Sequence, residues 1–565
     1  MKKTVGLSGL IYLNSFTVLP EYFISISAIY ILIVIVLITY NVYGLMIQKA
    51  VSECVALVLL MACYLLINDD LIATNVYSLN NSVSNDYFAF FTKFVVCFSS
   101  ALYFLIISNY LKQQRLISFE YLLVALFAVL GLVLLCSSND FLTAYLAIEL
   151  SSLSLYILAS FRKNSSYSIE SGLKYFIIGA ISSAFFLLGS SFIYLSTGSI
   201  NFSDLINLYE YEQIAAYIDG DARYFTMDIF KIIEPGVWFY EWMEFWRYYD
   251  FEFSGMAKRV FDANDFGVKD LNEIYKYSSL FELGLSLVIF SLFIKLGLAP
   301  FHFWTLDVYE GSPTISTFFF AVISKFSVFV LLIRICYLNV HYFKDVWVFY
   351  SLILAVLSIL VGSFGGLKTR KLKTLLAYSS TSHMGYVLLA FSAFHKFLGL
   401  EMMFFYLVIY ILAGSCTWFI IMNLRLKNKN FNKQNLELSS LALLSKSNSA
   451  LALSFALTMF SIAGIPPLIG FLTKMGIFLA VLENFYYFTA LITILCSVVS
   501  TFYYIRIIKI IYFENKLVGN LYYSINNQKV FIFSLLIFLL IFLFINPTFL
   551  YLVIQKLFYL MPYHN

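Results

Sequence analysis

Four ionisable side chains sit inside apolar runs, and together they form a donor–acceptor set suited to moving protons. Glu149 lies in FLTAYLAIELSSLSLYIL, Lys295 in FELGLSLVIFSLFIKLGLAP, Lys325 in TISTFFFAVISKFSVFVLLI and Lys474 in FLTKMGIF. A charge at bilayer depth costs roughly 2.5–3.5 kcal/mol on insertion scales, so it needs a partner, a water path or a function. A carboxylate in such a run is either protonated or faces a cation, and a buried lysine changes its charge when a counter-charge moves. Proton relay is the chemistry these types support. The alternative for Glu149 is a structural hydrogen bond between helices. For Lys295 and Lys325 it is snorkelling to an interface.

Other ionisable groups stand near these four. His383 lies in LLAYSSTSHMGYVLLA and, titrating near neutrality, can bridge acid and base in a relay; a satisfied packing histidine is the other reading. Lys174 in ESGLKYFIIGA follows Glu170 at i+4, which puts both on one helix face. That pair reads as an accessory relay member or as an interfacial ion pair. His302 and Asp307 belong to PFHFWTLDVYEG, a loop that serves either as a proton entrance or as a cap and turn.

The elements that must position these groups are membrane helices. The chain has 565 residues, 61% hydrophobic and 12% charged, with mean hydropathy +0.86. That composition excludes a water-soluble domain and defines an all-α polytopic membrane protein. Spans of about 20 apolar residues number fourteen, near 22–45, 50–67, 87–111, 119–136, 141–161, 171–195, 281–300, 313–337, 345–365, 373–394, 400–424, 452–482, 484–513 and 528–552. Gly297 and Pro300 break the seventh just past Lys295, and Gly464-Ile465-Pro466-Pro467 through Gly470 breaks the twelfth before Lys474. Helices interrupted at membrane depth are tolerated only within protein or beside a cavity. Two broken spans five apart cross in opposite senses, which predicts inverted repeats with an ion path at their interface.

The repeats are then spans 4–8 (119–337) and 9–13 (345–513), with a three-helix segment (1–118) before them and helix 14 (514–565) after. Glu149 in span 5 corresponds to span 10, where His383 sits.

Loop charge sets the orientation. Lys112, Arg115, Arg162, Lys163, Lys368, Arg370, Lys371, Lys373, Arg425, Lys427, Lys429, Lys433 and Lys446 fall on one side under this count, and Asp69, Asp70, Asp86 and Asp140 on the other. The positive-inside rule puts both termini outside. The opening MKKTVGLSGLIYLNSF lacks a clear cleavage site and reads as mature chain. Residues 201–280 hold 15 of the 32 acids but only 7 of the 36 Lys/Arg. This acidic, aromatic insertion falls outside as well, as a docking surface or as an ornament without chemistry. No CxxC spacing and no nucleotide loop occur, so nothing indicates a disulfide framework, iron–sulfur site, zinc site or nucleic-acid partner.

The stretch KLGLAPFHFWTLDVYEGSPTISTFFFAVISK resembles subunit 2 of mitochondrial respiratory NADH:ubiquinone oxidoreductase (complex I) and the equivalent bacterial subunit N. YLAIELSSLSLYILAS, ESGLKYFIIGAISSAFFLLGSSFIYLSTGSINF, KLKTLLAYSSTSHMGY and FSIAGIPPLIGFLTKMGIF extend the likeness from about Phe141 to Tyr512, apart from the insertion. The form Asp307-Val308-Tyr309-Glu310-Gly311 is similar to subunit 2 rather than to other antiporter-type subunits. Leu306, Thr374 and Thr473 depart from the pattern. The resemblance implies a fourteen-helix antiporter-like subunit of the membrane arm in the mitochondrial inner membrane, translocating protons through Glu149, Lys295, Lys325 and Lys474, with Lys174 and His383 as accessories. It implies no cofactor in this chain, with FMN, iron–sulfur clusters, NADH and ubiquinone held by other subunits. The implied neighbours are antiporter-like subunit 4, the small subunits 4L, 6 and 3, and membrane lipids. A stand-alone cation/proton antiporter is the alternative function.

Overall fold

The computed structural model describes residues 18–38, 44–68, 76–113, 119–205, 269–339, 344–393, 398–424, 437–514 and 527–559. Their backbone is almost wholly helical, as apolar segments must be where no water can satisfy free N–H and C=O groups. Three helices open the described chain: α1 (Leu19–Ile38), α2 (Gly44–Ile67) and α3 (Tyr87–Gln113). A short hairpin, β1 (Val76–Ser78) with β2 (Val83–Asn85), precedes α3. Then come α4 (Glu120–Ser137), α5 (Phe141–Ala159) and the 32-residue α6 (Ser166–Thr197). α7 (Lys269–Leu296) and α8 (Phe303–Gly311) flank the first break. α9 covers 314–339 and is π-wound at Phe319–Ile323 and Arg334–Asn339.

The second half begins with α10 (Lys344–Leu367), α11 (Leu372–Ser392) and α12 (Leu398–Asn423). α13 (Ser449–Ala463) and α14 (Ile469–Glu483) flank the second break, and α15 (Tyr487–Tyr512) follows. α16 (Asn527–Ile545) and α17 (Thr548–Tyr559) close the described chain.

Every one of the fourteen expected spans contains a helix, and 11 helices among the described residues are long and apolar enough to cross a membrane. The protein is a polytopic helical membrane protein. The expected last span, 528–552, divides at Pro547 between α16 and α17. A larger correction concerns the insertion assigned to 201–280. α7 already begins at Lys269, because a helix continues through polar turns that an apolar-run criterion stops short of. The rest of that range, 206–268, lies outside the described residues.

Local contacts sort the helix ends onto two faces. On one, Val83 bridges to Ser138 and Asp140 to Asn201, so the hairpin, the α4–α5 corner and the chain after α6 lie together. On the other, Lys371 bridges to Glu437 and pairs with Glu310, so α8, the start of α11 and the segment before α13 meet. Alternating spans require this grouping.

The two halves pack alike: α4 on α5 as α10 on α11, α4 on α9 as α10 on α15, α6 on α8 as α12 on α14. Both breaks place a glycine in left-handed backbone, Gly297 (φ 71) and Gly464 (φ 81), three residues before Pro300 and Pro467. α6 and α7 approach closely at Gly189 and Gly284. A Cβ on the first would lie 2.6 Å from the Gly284 carbonyl and one on the second 2.8 Å from the Gly189 carbonyl. Small residues are what permit backbones to come this near in a membrane.

Near the hairpin face, the buried guanidinium of Arg334 donates to Asp86 Oδ1 (2.9 Å), Ser84 Oγ (2.6 Å) and the Cys136 carbonyl (3.2 Å). This cluster ties α9 to α3 and α4. Asp86→Ala is expected to destabilise by about 3 kcal/mol, since it strands a buried charge, and Asp86→Leu with Arg334→Met to recover most of the loss. Thermal unfolding in detergent measures both.

Candidate functional site

The middle of α5 carries Glu149, half-buried. Ser152, one turn on, donates to its Oε2 at 3.4 Å, while Oε1 is buried without a hydrogen-bond partner among the described residues. The last turn of α7 brings Lys295 close enough for the two charges to interact. The carbonyl of Ile294, beside the break, accepts from the Gly297 N–H at 3.1 Å and from the Trp304 indole at 3.0 Å. Lys295 and Lys325 line one cavity of about 40 Å3, together with the hydroxyl-bearing Ser151, Ser152, Ser182 and Ser324. The lining is mostly apolar, with the ammonium and serine hydroxyl groups as its polar partners, and the space exceeds the about 10–15 Å3 that one ordered water needs on this measure.

Lys325 is 3% exposed. It lies just after the first π-wound stretch of α9, whose Ala321 carbonyl accepts from the Tyr410 hydroxyl at 3.0 Å. Its ammonium donates to Ser380 Oγ on α11 at 3.1 Å and stands 5.6 Å from the Tyr309 ring.

α11 connects the two halves. Ser380, His383 and Tyr386 follow at i, i+3 and i+6, one ridge of the helix. His383 is buried, with Nδ1 2.5 Å from the Tyr406 hydroxyl of α12 and Nε2 3.0 Å from the Tyr504 hydroxyl of α15. The charges of Lys325 and Lys474 both reach the imidazole. Beyond it, Lys474 stands 5.4 Å from the Tyr386 ring and donates to the Ala463 carbonyl at 2.6 Å. Ala463 is the last residue of α13, so the lysine takes up an acceptor that the broken helix leaves free. The ridge thus carries Lys325 at one end and Lys474 at the other.

Gly464→Ala tests this arrangement. An added Cβ would sit 2.7 Å from Lys474 Cδ and 3.2 Å from its Nζ, in left-handed backbone. The conformation alone costs an L residue about 1–2 kcal/mol. A lower unfolding temperature with slowed turnover is the expected outcome, and unchanged values of both would contradict it.

Not every expected site residue joins the line. Lys174 is 42% exposed and pairs with Asp307 at 2.7 Å and Glu170 at 2.8 Å, where α6 meets α8. It forms an exposed ion-pair cluster, one of the two readings that its spacing to Glu170 offers. Asp307 belongs to that same cluster. His302 is buried, its Nδ1 without a hydrogen-bond partner, its ring 6.4 Å from that of Tyr378.

Sequence reasoning also passed over buried charges. Lys373, counted as a loop charge, turns inward and donates to the Ser312 carbonyl at 2.7 Å. Lys93 pairs with Glu21 in the interior, and Lys529 donates to the Ile106 carbonyl at 2.7 Å. The signal for Lys93 was its place in FAFFTKFVVCF, an apolar run like that of Lys295.

Fold and site together define a multi-pass helical membrane protein with a file of ionisable side chains through its interior. The profile of the NADH:quinone oxidoreductase/Mrp antiporter transmembrane family matches residues 138–223 and 255–500, and the chain belongs to that family. The unmatched residues between lie within the acidic insertion. NADH-ubiquinone oxidoreductase chain 2 of Marchantia polymorpha is 31% identical over 477 residues, 84% of each chain. NADH-quinone oxidoreductase subunit N of Paramagnetospirillum magneticum is 31% identical over 497 residues, 88% of each. A chain of respiratory complex I from Thermus thermophilus superposes with TM-score 0.68 at 23% identity, covering 95% of this chain and 99% of that one. At that identity the superposition speaks for the fold.

Proposed function

We propose that this chain is a proton-translocating, antiporter-like subunit of the membrane arm of respiratory NADH:quinone oxidoreductase, working in the mitochondrial inner membrane. The observation that carries the reading is a succession of buried groups: Lys295 and Lys325 on one cavity, Lys325 on Ser380, and Lys474 beside Tyr386, with His383 between Ser380 and Tyr386 on α11. The names of the two curated relatives support the assignment to this complex over a stand-alone antiporter. Redox groups (FMN, iron–sulfur clusters, NADH and ubiquinone) belong to other subunits in this reading. The neighbours are subunits 4, 4L, 6 and 3. The basic loops face the matrix, and the hairpin, both termini and the insertion face the intermembrane space.

The mechanism follows from low-dielectric electrostatics, where each charge acts on the next over several ångströms. A signal from quinone chemistry separates Glu149 from Lys295. Lys295, without its counter-charge, passes a proton through the cavity to Lys325, and the load moves by way of the α11 ridge to Lys474. Replacing Lys295 by Met or Glu149 by Gln is expected to cut quinone-coupled NADH oxidation about tenfold, equivalent to about 1.4 kcal/mol of barrier. Electron transfer from NADH to a hydrophilic acceptor stays normal. Unaltered proton pumping by both variants in vesicles would end this reading.

A further inference from the structure

Lys325 carries a buried charge without the usual partner. Among the described residues no carboxylate lies within ion-pair distance of its ammonium, whereas the Glu149 charge acts on Lys295. The Lys325 ammonium meets Ser380 Oγ at 3.1 Å and stands over the Tyr309 ring, 5.6 Å from its centroid. Lys474, equally without a carboxylate at that range, stands over the Tyr386 ring at 5.4 Å. A cation within about 6 Å of a ring centroid is drawn to the negative face of the ring, most strongly where water is excluded. Lys325 is 3% exposed and Tyr309 0%. The tyrosine hydroxyl lies near Ser380 but makes no hydrogen bond among the described residues, so what Tyr309 offers its surroundings is the ring. The break after Lys295 places that ring. Tyr309 belongs to α8, whose Trp304 indole donates to the Ile294 carbonyl. Thr305 of α8 packs so closely on Gly297 that an added Cβ would collide with its methyl group. One short helix therefore touches the turn of Lys295 through Trp304 and the ammonium of Lys325 through Tyr309.

We infer that the Tyr309 ring is the counter-group of Lys325, holding the protonated ammonium where a carboxylate would otherwise be needed, with α8 setting the separation. The inference rests on the proton-moving function proposed above and adds a positioning residue to it. An aromatic face has no net charge and takes no proton. It favours the loaded lysine without trapping the charge as a buried carboxylate would. The attraction ends once the lysine has passed its proton on, so nothing in the ring opposes release. Lys295 works by the other device, a full opposite charge that must move away.

Two other accounts compete: a ring that only fills space, and a hydroxyl that itself relays protons to Ser380. Tyr309→Phe keeps the aromatic face and drops the hydroxyl, while Tyr309→Leu drops both. The experiment is proton uptake by vesicles containing the intact complex, with assembly measured on native gels. The expected result is at least half of normal uptake in Tyr309→Phe and a loss of about fivefold or more in Tyr309→Leu. Tyr309→Met, flexible enough to refill the space, takes the place of the leucine variant if that one assembles poorly. A loss in Tyr309→Phe as large as in the variant without a ring gives the role to the hydroxyl. Normal uptake without a ring makes Tyr309 a filler, and either outcome overturns the inference. Thermal unfolding in detergent excludes plain packing damage. Removing the ring should lower the unfolding temperature less in a Lys325→Met background, where no cation faces it, and equal losses in both backgrounds also overturn the inference. Lys325→Met alone separates the levels: normal uptake there sinks the proposed function itself, while loss there with normal uptake in the ring variants sinks only the counter-group.

Discussion

Lys325→Met is expected to lower quinone-coupled NADH oxidation about tenfold or more, with the complex assembled in normal amount and electron transfer to hydrophilic acceptors unchanged. Lys325 is the point where the two halves of the line join. It shares a cavity with Lys295 on one side and donates to Ser380 on the other. Methionine fills most of the same volume without leaving a lone buried charge, so assembly survives. Arginine does not rescue, because a guanidinium stays protonated and its planar fork does not fit the position of an ammonium. A variant that retains the full coupled rate would show that protons bypass Lys325.

The second large effect is expected at His383, where two substitutions divide packing from relay. His383→Phe leaves the Tyr406 and Tyr504 hydroxyls without the imidazole nitrogens 2.5 and 3.0 Å away. Each buried group left unsatisfied costs about 1–3 kcal/mol, so stability and turnover both fall. His383→Gln keeps a donor and an acceptor but does not titrate near neutral pH. It should hold the unfolding temperature while coupled turnover drops about tenfold. Normal turnover in His383→Gln would make the histidine a packing residue, the alternative that its sequence leaves open.

The membrane fold was legible from the chain because apolar runs and their Gly/Pro interruptions are local signals. Glu149, Lys295, Lys325 and Lys474 stood out for the same reason: a charge amid Leu, Ile and Phe is read without knowing any neighbour. Lys93 obeyed that rule too, yet its span carries no break to draw notice. Lys373 was hidden differently, since it follows Arg370 and Lys371 and shares their charge pattern while its side chain turns inward. Partners distant in sequence were not legible at all. Lys174 and Asp307 are 133 positions apart, and nothing local says they touch. The ridge Ser380–His383–Tyr386 is visible as a spacing, but only packing shows that it faces Lys325 at one end and Lys474 at the other.

The 32 residues of α6 have a consequence for how the protein meets its surroundings. At 1.5 Å per residue the helix is about 48 Å long, against a hydrocarbon layer of about 30 Å. Its apolar stretch after Lys174 suffices to cross that layer, so the first two turns extend into the headgroup zone. The Lys174–Glu170–Asp307 cluster therefore bathes in interfacial water, where physiological salt limits its field to about 8 Å. Headgroups and water, not acyl chains, are therefore what this collar meets, so ionic strength and headgroup charge act on these three side chains far more than on the deeply buried lysines.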